Sequence, residues 1–228
     1  MTQVVASQVQ RMFGSIAQRY DVTNTVLSFG IHHLWKRLVV RSLPLEDSSM
    51  ILDLCTGTGD LLPLLRSKFR YVVGVDFCLP MLEVGQDRPG HEHLPLVQGD
   101  ALQLPFRGAQ FDGVTVAFGI RNLERLSDGL REIHRIIRVG GFLVVLEFGQ
   151  PDGKLFGPLY RFYSKWILPH IGGALTGNRD AYGYLPETAG QFPCGERFRR
   201  ILVEAGFAVE SSRRLSLGIA YLYLARKR

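Results

Sequence analysis

Residues 50–60 read MILDLCTGTGD, an apolar run that passes directly into a glycine-rich turn. The run has the length of a buried strand and the residues after the turn show helical spacing, so the segment predicts a strand, a tight turn and the start of a helix. In a doubly wound sheet this turn lies at the carboxyl edge, where ligands bind. Gly57 and Gly59 would let the backbone adopt conformations that a Cβ forbids and approach a ligand closely.

The same alternation of strand and helix continues along the chain. The further strand candidates are residues 71–75, 96–98, 111–118 and 141–148, and the helical stretches are 60–69, 80–86 and 123–137. Strands that alternate with helices, several of them apolar throughout, predict a parallel sheet covered on both faces. Gly140 and Gly141 are typical of a helix end before the next strand.

The C-terminal part, residues 196–228, has a different pattern. Residues 196–205 have helical spacing and end at Gly206, and two strand-like runs then follow at 207–213 and 219–225 with a short connection. Such a connection predicts an antiparallel hairpin. We therefore predict an α/β fold with a Rossmann-like, seven-stranded sheet that is mostly parallel and ends in a C-terminal antiparallel hairpin.

Two segments lie outside this sheet. Residues 5–42 predict one or two helices, broken near 21–24 and 28–30, and residues 150–195 form an insertion rich in Gly, Pro and aromatic residues. We interpret the two segments together as a helical cap over the mouth of the sheet. The length of 228 residues suits one domain over 1–228. In this division residues 46–150 form the cofactor-binding sheet.

Charge is unevenly distributed along the chain. The 27 Lys and Arg residues exceed the 21 Asp and Glu residues, for a formal net charge of +6. Residues 1–45 carry five basic and one acidic residue, residues 46–150 ten basic and fourteen acidic, and residues 151–228 twelve basic and six acidic. An acidic middle between two basic flanks argues against a uniformly basic nucleic-acid surface.

Compartment and metal use follow from what the chain lacks. No apolar run approaches the roughly 20 residues that span a bilayer, and the opening residues show no secretory signal. The three cysteines, widely spaced and without a CxxC pair, favour free thiols in a reducing cytoplasm. No His, Cys and acid cluster has metal-ligand spacing, so we expect no metal site and no metal-dependent transfer to a catechol.

Acidic residues stand at the ends of three successive strands. Asp53 lies in the first strand, Asp76 ends the second, and Asp100 with Ala101 follows the third. Such an edge suits an adenosine without phosphates, because the pyrophosphate of NAD would be repelled by a carboxylate at Asp53. A cationic amino-acid part would be attracted instead, which favours S-adenosyl-L-methionine. Each acid alone is equally well explained as a helix N-cap, so the prediction rests on their order.

The motifs LDLCTGTGD, VGVD, QGDALQLPF, FDGVTVAFGIRNL and EIHRIIRVGGFLVVLEFGQP follow one another in this chain. In that order they resemble a class I S-adenosyl-L-methionine-dependent methyltransferase. More closely, together with MFGSIAQRYDVTNTVLSFGIHHLWKR and DAYGYLPETAGQFP, they are similar to the ubiquinone/menaquinone biosynthesis C-methyltransferase family. The resemblance extends over about residues 10–225 and implies S-adenosyl-L-methionine as the cofactor.

The resemblance also implies site residues. Thr58 matches the threonine of the family's glycine loop, Asp76 its ribose-binding acid, and Asp100 with Ala101 its adenine-binding pair. Ala117 stands where many relatives have a serine that contacts the cofactor. The loss of one such hydrogen bond would cost about 1 kcal/mol, which leaves the assignment intact.

The function that the resemblance implies is C-methylation of a prenylated quinol, with demethylmenaquinol as the first candidate substrate. A ubiquinone precursor, a phytyl-naphthoquinol and another small aromatic acceptor are the alternatives. A nucleic-acid methyltransferase is not expected, because the fourth strand ends in AFGIRN rather than in the Asn/Asp-Pro-Pro-aromatic motif that holds a flipped base. A protein that binds the cofactor without catalysis is the alternative from outside the enzymes.

Arg121 and Asn122, at the carboxyl end of the fourth strand, are the candidate catalytic residues. A ring carbon becomes nucleophilic when its neighbouring hydroxyl loses a proton, so Arg121 would stabilise the phenolate and Asn122 would orient the ring. Alternatively, Arg121 pairs with Glu147 and only shapes the pocket. The histidines are weaker candidates: His134 has a structural position, and His170 lies in the cap with residues 180–184.

One helical stripe in the cap combines Leu155, Leu159, Phe162 and Trp166. Most such stripes are core, but the apolar width here exceeds one face, since Phe156, Tyr160, Tyr163 and Ile167 lie beside it. The excess could line a channel for a prenyl tail or lie at a membrane surface. We therefore expect a cytoplasmic protein, with peripheral contact between its basic flanks and an anionic inner membrane as a further hypothesis.

Overall fold

A computed structural model describes residues 6–91 and 93–228. Residue 5, where the predicted N-terminal segment begins, lies outside them. The strands are β1 (Met50–Leu54), β2 (Tyr71–Asp76), β3 (Leu96–Gln98), β4 (Phe111–Ala117), β5 (Ile137–Phe148), β6 (Phe207–Leu215) and β7 (Ala220–Lys227). The helices are α1 (Ala6–Ile16), α2 (Tyr20–Leu27), α3 (Ile31–Ser42), α4 (Leu62–Arg66), α5 (Leu79–Gln86), α6 (Leu126–Ile136), α7 (Phe156–Phe162), α8 (Leu168–Thr176), α9 (Arg179–Gln191) and α10 (Glu196–Glu204).

Seven strands form one sheet in the order β3-β2-β1-β4-β5-β7-β6. The first five are parallel, with Leu52 of β1 in register with Val73 on one side and Val114 on the other. β7 runs antiparallel between β5 and β6. The predicted sheet, mostly parallel with a C-terminal antiparallel hairpin, is confirmed. Because the order reverses between β1 and β4, a crevice opens at their carboxyl ends.

Both faces of the sheet are covered. On one face, alternate residues of the central strands, such as Leu52 and Val114, pack with α6 and α10. On the other face, Ile51 and Val144 pack with α3 and α4. Burial on both faces explains why these strands read as continuous apolar runs rather than as alternating ones.

Three element boundaries differ from the sequence prediction. β5 begins at Ile137, directly after α6, since this side chain is fully buried in the sheet; Gly140 and Gly141 therefore lie inside the strand and do not precede it. The helix after the glycine turn is only Leu62–Arg66, with proline in its first turn, where a missing N–H costs nothing. The break expected near 21–24 is wrong, because α2 spans those residues.

The break in the N-terminal segment lies instead at Ala17–Arg19, a turn of 3-10 helix, and a second break at residues 28–30 agrees with the prediction. Gly30 adopts a φ of 73° there. Asp21 falls in the first turn of α2, where its charge interacts favourably with the helix dipole. No helix within the described ranges is both long and apolar enough to cross a membrane.

The N-terminal helices and the insertion contact each other above the carboxyl ends of the strands. The hydroxyl of Tyr163 donates to the carbonyl of Leu27 at 2.7 Å. Arg19 donates to the carbonyl of Leu175 at 2.8 Å. Between α7 and α8 the chain forms a π-helix, Tyr163–Ile167, so the insertion runs as one nearly continuous helical rod from Phe156 to Thr176.

Candidate active site

One cavity of about 970 Å³ lies between the carboxyl ends of the parallel strands and the two cap segments. All eight residues predicted from the sequence line it: Asp53, Gly57, Thr58, Asp76, Asp100, Ala101, Arg121 and Asn122. The fold brings them together because the loops that follow β1 to β4 all open onto this edge.

The glycine turn and Asp76 are bound to each other. Gly57, with a φ of 59°, donates its backbone N–H to one carboxylate oxygen of Asp76 at 2.7 Å, and Cys78 donates to the other oxygen at 2.8 Å. Burial raises the pKa of Asp76 despite these two bonds. Each carboxylate oxygen retains a lone pair, so the group can still accept two hydrogen bonds from a ligand.

Asp53 is buried between two threonines. Its carboxylate accepts hydrogen bonds from the hydroxyls of Thr56 and Thr115, each at 2.6 Å, and only 1% of the residue is exposed. Burial raises its pKa to about 6, although both hydroxyls lower it. The carboxylate lines the cavity, but the two threonines hold it in place, so the contact expected with a cationic ligand would use a remaining lone pair.

This arrangement predicts a pH-dependent effect of Thr115→Val on stability. The folded pKa of Asp53, about 6, exceeds the ordinary value of 3.8, so folding stability decreases as the pH rises through this interval. Removal of one donor to the carboxylate raises the folded pKa further. We expect a loss of about 1.5–3 kcal/mol at pH 7.5 and a smaller loss at pH 4.5, measured by urea unfolding.

A matched control for this prediction is Thr176→Val. The hydroxyl of Thr176 donates to the carbonyl of Gly172 and touches no carboxylate. Its removal should therefore cost the same at both pH values. Equal losses for Thr115→Val at both pH values would show that Asp53 does not change its charge between pH 4.5 and pH 7.5, which would contradict its raised pKa.

Asp21 was not identified from the sequence. Its carboxylate, on α2, accepts one bifurcated hydrogen bond from the hydroxyl of Thr58, which lies 2.9 Å from both carboxylate oxygens, and is paired with Arg88. Burial, and next the charge of Asp60, raise its pKa. The N-terminal segment is thereby attached to the cofactor loop by a side chain 37 residues away in sequence.

A second ion pair also joins the N-terminal segment to the glycine turn. Lys36 of α3 is paired with Asp60, at the end of the glycine turn, and both side chains are largely buried. Burial alone would raise the pKa of Asp60, but the charge and hydrogen bond of Lys36 lower it. Because the residues that meet here are distant in sequence, no local pattern indicates either contact.

At the third strand, the predicted adenine pair lines the cavity together with an aromatic ring. Asp100 is exposed and accepts the backbone N–H of Leu102 at 2.8 Å, and Ala101 is buried beneath it. Phe77, directly after Asp76, lines the same part of the cavity with 38% of its surface exposed. An aromatic residue directly after an acidic strand end is a signal that sequence reasoning could have used.

Arg121 adopts the ion pair that was the alternative to its catalytic role. Its Nη1 donates to Glu147 at 2.9 Å and also to the carbonyl of Phe118, and the guanidinium stacks 5.2 Å from the ring of Phe148. The Nε–H is buried and has no acceptor among the described residues. A buried donor without an acceptor is costly, but this atom has almost no accessible surface, so a ligand in the cavity would contact the guanidinium elsewhere.

Asn122 connects the fourth strand to the cap. Its amide oxygen accepts a hydrogen bond from the hydroxyl of Tyr184 at 3.2 Å. Tyr20 of α2 is also close to this end of the cavity, since burial raises its pKa and the charge of Arg121 opposes that rise. Two tyrosines from the two cap segments thus surround the predicted catalytic pair.

The remaining cap and histidine candidates divide into two groups. Tyr182 and Tyr184 line the cavity, as does His32, whose pKa is lowered to about 4, mainly by burial. His170 is bonded to Arg179 outside the cavity, and His134 packs edge-on against Phe207. Within residues 6–91 and 93–228, no group of three His, Cys, Asp or Glu side chains could hold a metal ion.

The sheet order, the glycine turn and the acidic strand ends define a class I S-adenosyl-L-methionine-dependent methyltransferase. A solved Thermotoga maritima structure, described as a SAM-dependent methyltransferase and "possible histamine N-methyltransferase", superposes with a TM-score of 0.69. It shares 18% identity and covers 96% of this chain and 99% of its own, so the likeness concerns the fold.

The chain belongs to the ubiE/COQ5 methyltransferase family, which matches residues 1–227. It is 41% identical to the demethylmenaquinone methyltransferase of Deinococcus radiodurans, over 96% of this chain and 92% of that protein. It is 40% identical to the ubiquinone/menaquinone biosynthesis C-methyltransferase UbiE of Bdellovibrio bacteriovorus, over 94% of both chains. The resemblance inferred from the motifs is confirmed.

Proposed function

We propose that the protein transfers a methyl group from S-adenosyl-L-methionine to a ring carbon of a demethylated, prenylated quinol, in the first place demethylmenaquinol. The observation that carries this proposal is a single cavity that joins a polar, acidic edge to an aromatic half. The names of the relatives, which include both demethylmenaquinone methyltransferases and UbiE, support the reaction. A ubiquinone precursor remains the second candidate substrate for that reason.

The acidic half has the donor set that the cofactor requires. We assign the ribose hydroxyls to the free lone pairs of Asp76 and the adenine to Phe77, Asp100 and Ala101. The tight turn at Gly57 and Thr58 leaves room for the amino-acid part, with Asp53 as the nearest carboxylate. When bound, S-adenosyl-L-methionine supplies a methyl group on a sulfonium, which is already a good electrophile.

The other half of the cavity is apolar and rich in aromatic rings. Its lining includes Phe118, Phe148, Phe156, Tyr160, Tyr163 and Tyr184. Burial raises the pKa of Tyr160 to about 12, so this side chain is a neutral hydrogen-bond donor at physiological pH. An aromatic acceptor with an isoprenoid tail fits such a surface better than a polar or charged acceptor does.

Arg121 has the position for the chemical step. Arg121 lines the cavity, and the positive charge of its guanidinium would lower the pKa of the quinol hydroxyl from its usual value near 10. Once that hydroxyl had lost its proton to solvent, the negative charge would spread to the adjacent ring carbon, which would bond to the methyl group as the methyl–sulfur bond breaks and leaves a neutral thioether. The same carbon would then release its hydrogen as a proton, which restores the aromatic ring. Asn122, held by Tyr184, would orient the ring, and the apolar walls would exclude water.

We further propose that residues 1–228 act as one methyltransferase unit in the cytoplasm. In this division, residues 46–150 bind the cofactor, residues 196–228 complete the sheet, and the segments 5–42 and 150–195 form the cap. Contacts between the two cap segments and the glycine turn support it. Peripheral association with a membrane agrees with a substrate that resides in the bilayer.

The test is an in vitro assay with labelled S-adenosyl-L-methionine and separate quinol acceptors. We expect transfer to reduced demethylmenaquinol, identified by a product mass increased by one methyl group, and none to the oxidised quinone, which lacks the ionisable hydroxyl. A ubiquinone precursor tested in parallel decides between the two substrates. Tight cofactor binding without transfer to any quinol would contradict the proposal and favour a binding protein.

A further inference from the structure

The cap helix α7 and the π-helix after it present two adjacent apolar stripes, and only one of them faces inward. Phe156, Tyr160, Tyr163 and Ile167 line the cavity. The neighbouring stripe, defined as Leu155, Leu159, Phe162 and Trp166, faces solvent with exposed fractions of 87%, 63%, 56% and 54%. The simple core interpretation of this outer stripe is therefore wrong.

The outer stripe lies at the rim of the cavity. Leu159 and Phe162 belong to both surfaces, because they line the cavity and are exposed. On a second rim, Phe29 is 88% exposed at the turn between α2 and α3 and lines the same cavity. The bond from Tyr163 to the carbonyl of Leu27 holds these two rims next to each other.

Basic residues predominate along the two segments that form this rim. Residues 22–45 and 153–179 contain no Asp or Glu, and their exposed charges are Arg37, Arg41, Lys154, Arg161, Lys165 and Arg179; the exposed Asp152 and Asp180 border the second segment. Arg161 and Lys165 are exposed between members of the outer stripe, and neither has a carboxylate partner within the described residues. A row of exposed aromatic and aliphatic side chains with interspersed cations is typical of interfacial membrane contact.

We propose that the outer stripe and Phe29 insert into the headgroup region of an anionic phospholipid bilayer, so that the cavity receives its prenylated acceptor directly from the lipid phase. This inference rests on the proposed function for the identity of the acceptor, but membrane binding is tested without any acceptor. Both rims contact the bilayer, and the cavity-lining residues Phe156, Tyr160, Tyr163 and Ile167 continue the apolar path from the lipid to the site.

The first experiment measures binding of the full chain to phosphatidylcholine vesicles with and without phosphatidylglycerol. We expect stronger binding to the anionic vesicles. The double variant Arg161→Gln/Lys165→Gln should bind them about 25-fold more weakly, since each basic residue near a charged surface contributes about fivefold. The control Arg197→Gln/Arg200→Gln removes the same charge from exposed positions on α10, away from the cavity, and should change binding by less than about threefold.

The apolar contact has its own test. Leu155 and Trp166 are exposed and do not line the cavity, so Leu155→Ser/Trp166→Ser should weaken vesicle binding about tenfold. The control Val139→Ser, at an apolar residue 76% exposed near the opposite edge of the sheet, should leave binding unchanged. Methylation of a short-chain, water-soluble quinol without vesicles should also be unchanged in the double variant.

The chain contains its own spectroscopic probe. Of its two tryptophans, Trp35 is buried and Trp166 is exposed, so insertion should shift the fluorescence of Trp166 to shorter wavelength. Trp166→Phe should abolish the shift and retain vesicle binding. Binding without a shift in the wild type, or equal binding to neutral and anionic vesicles, would overturn the proposal.

Two further outcomes would also contradict it. If Leu155→Ser/Trp166→Ser converts a dimer into a monomer in analytical ultracentrifugation while vesicle binding is absent, the stripe is an interface between two copies of the chain. If all variants bind vesicles like the wild type, another surface meets the membrane. Failure of the proposed reaction would appear separately, as the absence of methyl transfer to the short-chain quinol by a protein that still binds vesicles.

Discussion

Arg121→Gln is expected to lower kcat for quinol methylation by about 100- to 1,000-fold, the usual cost of removing one donor that stabilises a developing oxyanion. The Kd for S-adenosyl-L-methionine should change by less than about threefold, because the assigned cofactor contacts lie on other strand ends. The reason is geometric: Nη1 is held by Glu147 and the carbonyl of Phe118, so the guanidinium is fixed at the cavity wall, where its charge would face the acceptor. Single-turnover kinetics and calorimetry measure the two quantities.

Variants of its ion-pair partner, Glu147, distinguish a purely structural role of Arg121 from a catalytic one. The single variant leaves Glu147, which is fully buried, without its counter-charge, at a cost of about 3–5 kcal/mol in folding stability. Arg121→Gln/Glu147→Gln removes both charges and should regain much of that stability. If Arg121 acts on the substrate, the double variant remains slow. Recovery of turnover together with stability would show that Arg121 only shapes the pocket.

The pH profile gives an independent measure of the same role. In the wild type, the charge of Arg121 should allow the quinol hydroxyl to ionise below its usual pKa near 10. In Arg121→Gln, the rate should continue to rise up to about pH 10, so the deficit narrows as the pH increases. A deficit that is constant with pH would indicate lost positioning rather than lost charge.

Local signals predicted the sheet, and they also indicated which residues would meet at its carboxyl edge. The apolar run before Gly57 and the strand ends at Asp76 and Asp100 depend on residues that are adjacent in sequence, and parallel strands bring those ends to one edge. The C-terminal hairpin was equally local, since a short connection between two strand-like runs leaves few other pairings. The eight predicted residues accordingly line one cavity.

Contacts that depend on how the cap docks could not be predicted in the same way. The bond between Asp21 and Thr58 and the ion pair between Lys36 and Asp60 join segments 37 and 24 residues apart. Hydrophobic periodicity shows that a helix has an apolar face, but it does not show which loop that helix will cover. The helical segment at 5–42 was therefore predicted without its attachment to the glycine turn.

The outer stripe of the cap shows a further limit of periodicity. Leu155 and Trp166 share a stripe whose spacing is typical of a buried face, yet they are exposed. A helix with more apolar width than one face requires some of it to face water or another phase. The sequence indicates that the apolar surface of this helix is wider than one face. Only the packing of its cavity-lining residues shows which part of that surface remains exposed.

Asp76→Ala is expected to weaken binding of S-adenosyl-L-methionine by about 100-fold or more, because two hydrogen bonds to a charged acceptor contribute about 1.5–3 kcal/mol each. Turnover at saturating cofactor should stay within about threefold, since the carboxylate is assigned to the ribose rather than to the reacting atoms. The substitution also leaves the N–H groups of Gly57 and Cys78 without their acceptor, which loosens the turn. Isothermal titration calorimetry with the cofactor and with its demethylated product measures the affinity.

The control is Asp112→Ala. The carboxylate of Asp112 also accepts a backbone N–H, from Met50 of β1 at 2.8 Å, but it lies at the amino end of the sheet. This substitution should leave the cofactor Kd unchanged. As the pH is lowered, protonation of Asp76 should weaken cofactor binding. Because burial raises the pKa of Asp76, this loss should begin at a higher pH than for an ordinary aspartate, and Asp76→Asn should remove this part of the pH dependence. If Asp76→Ala binds the cofactor as tightly as the wild type, the carboxylate serves only to hold the glycine turn, and the ribose must be bound elsewhere.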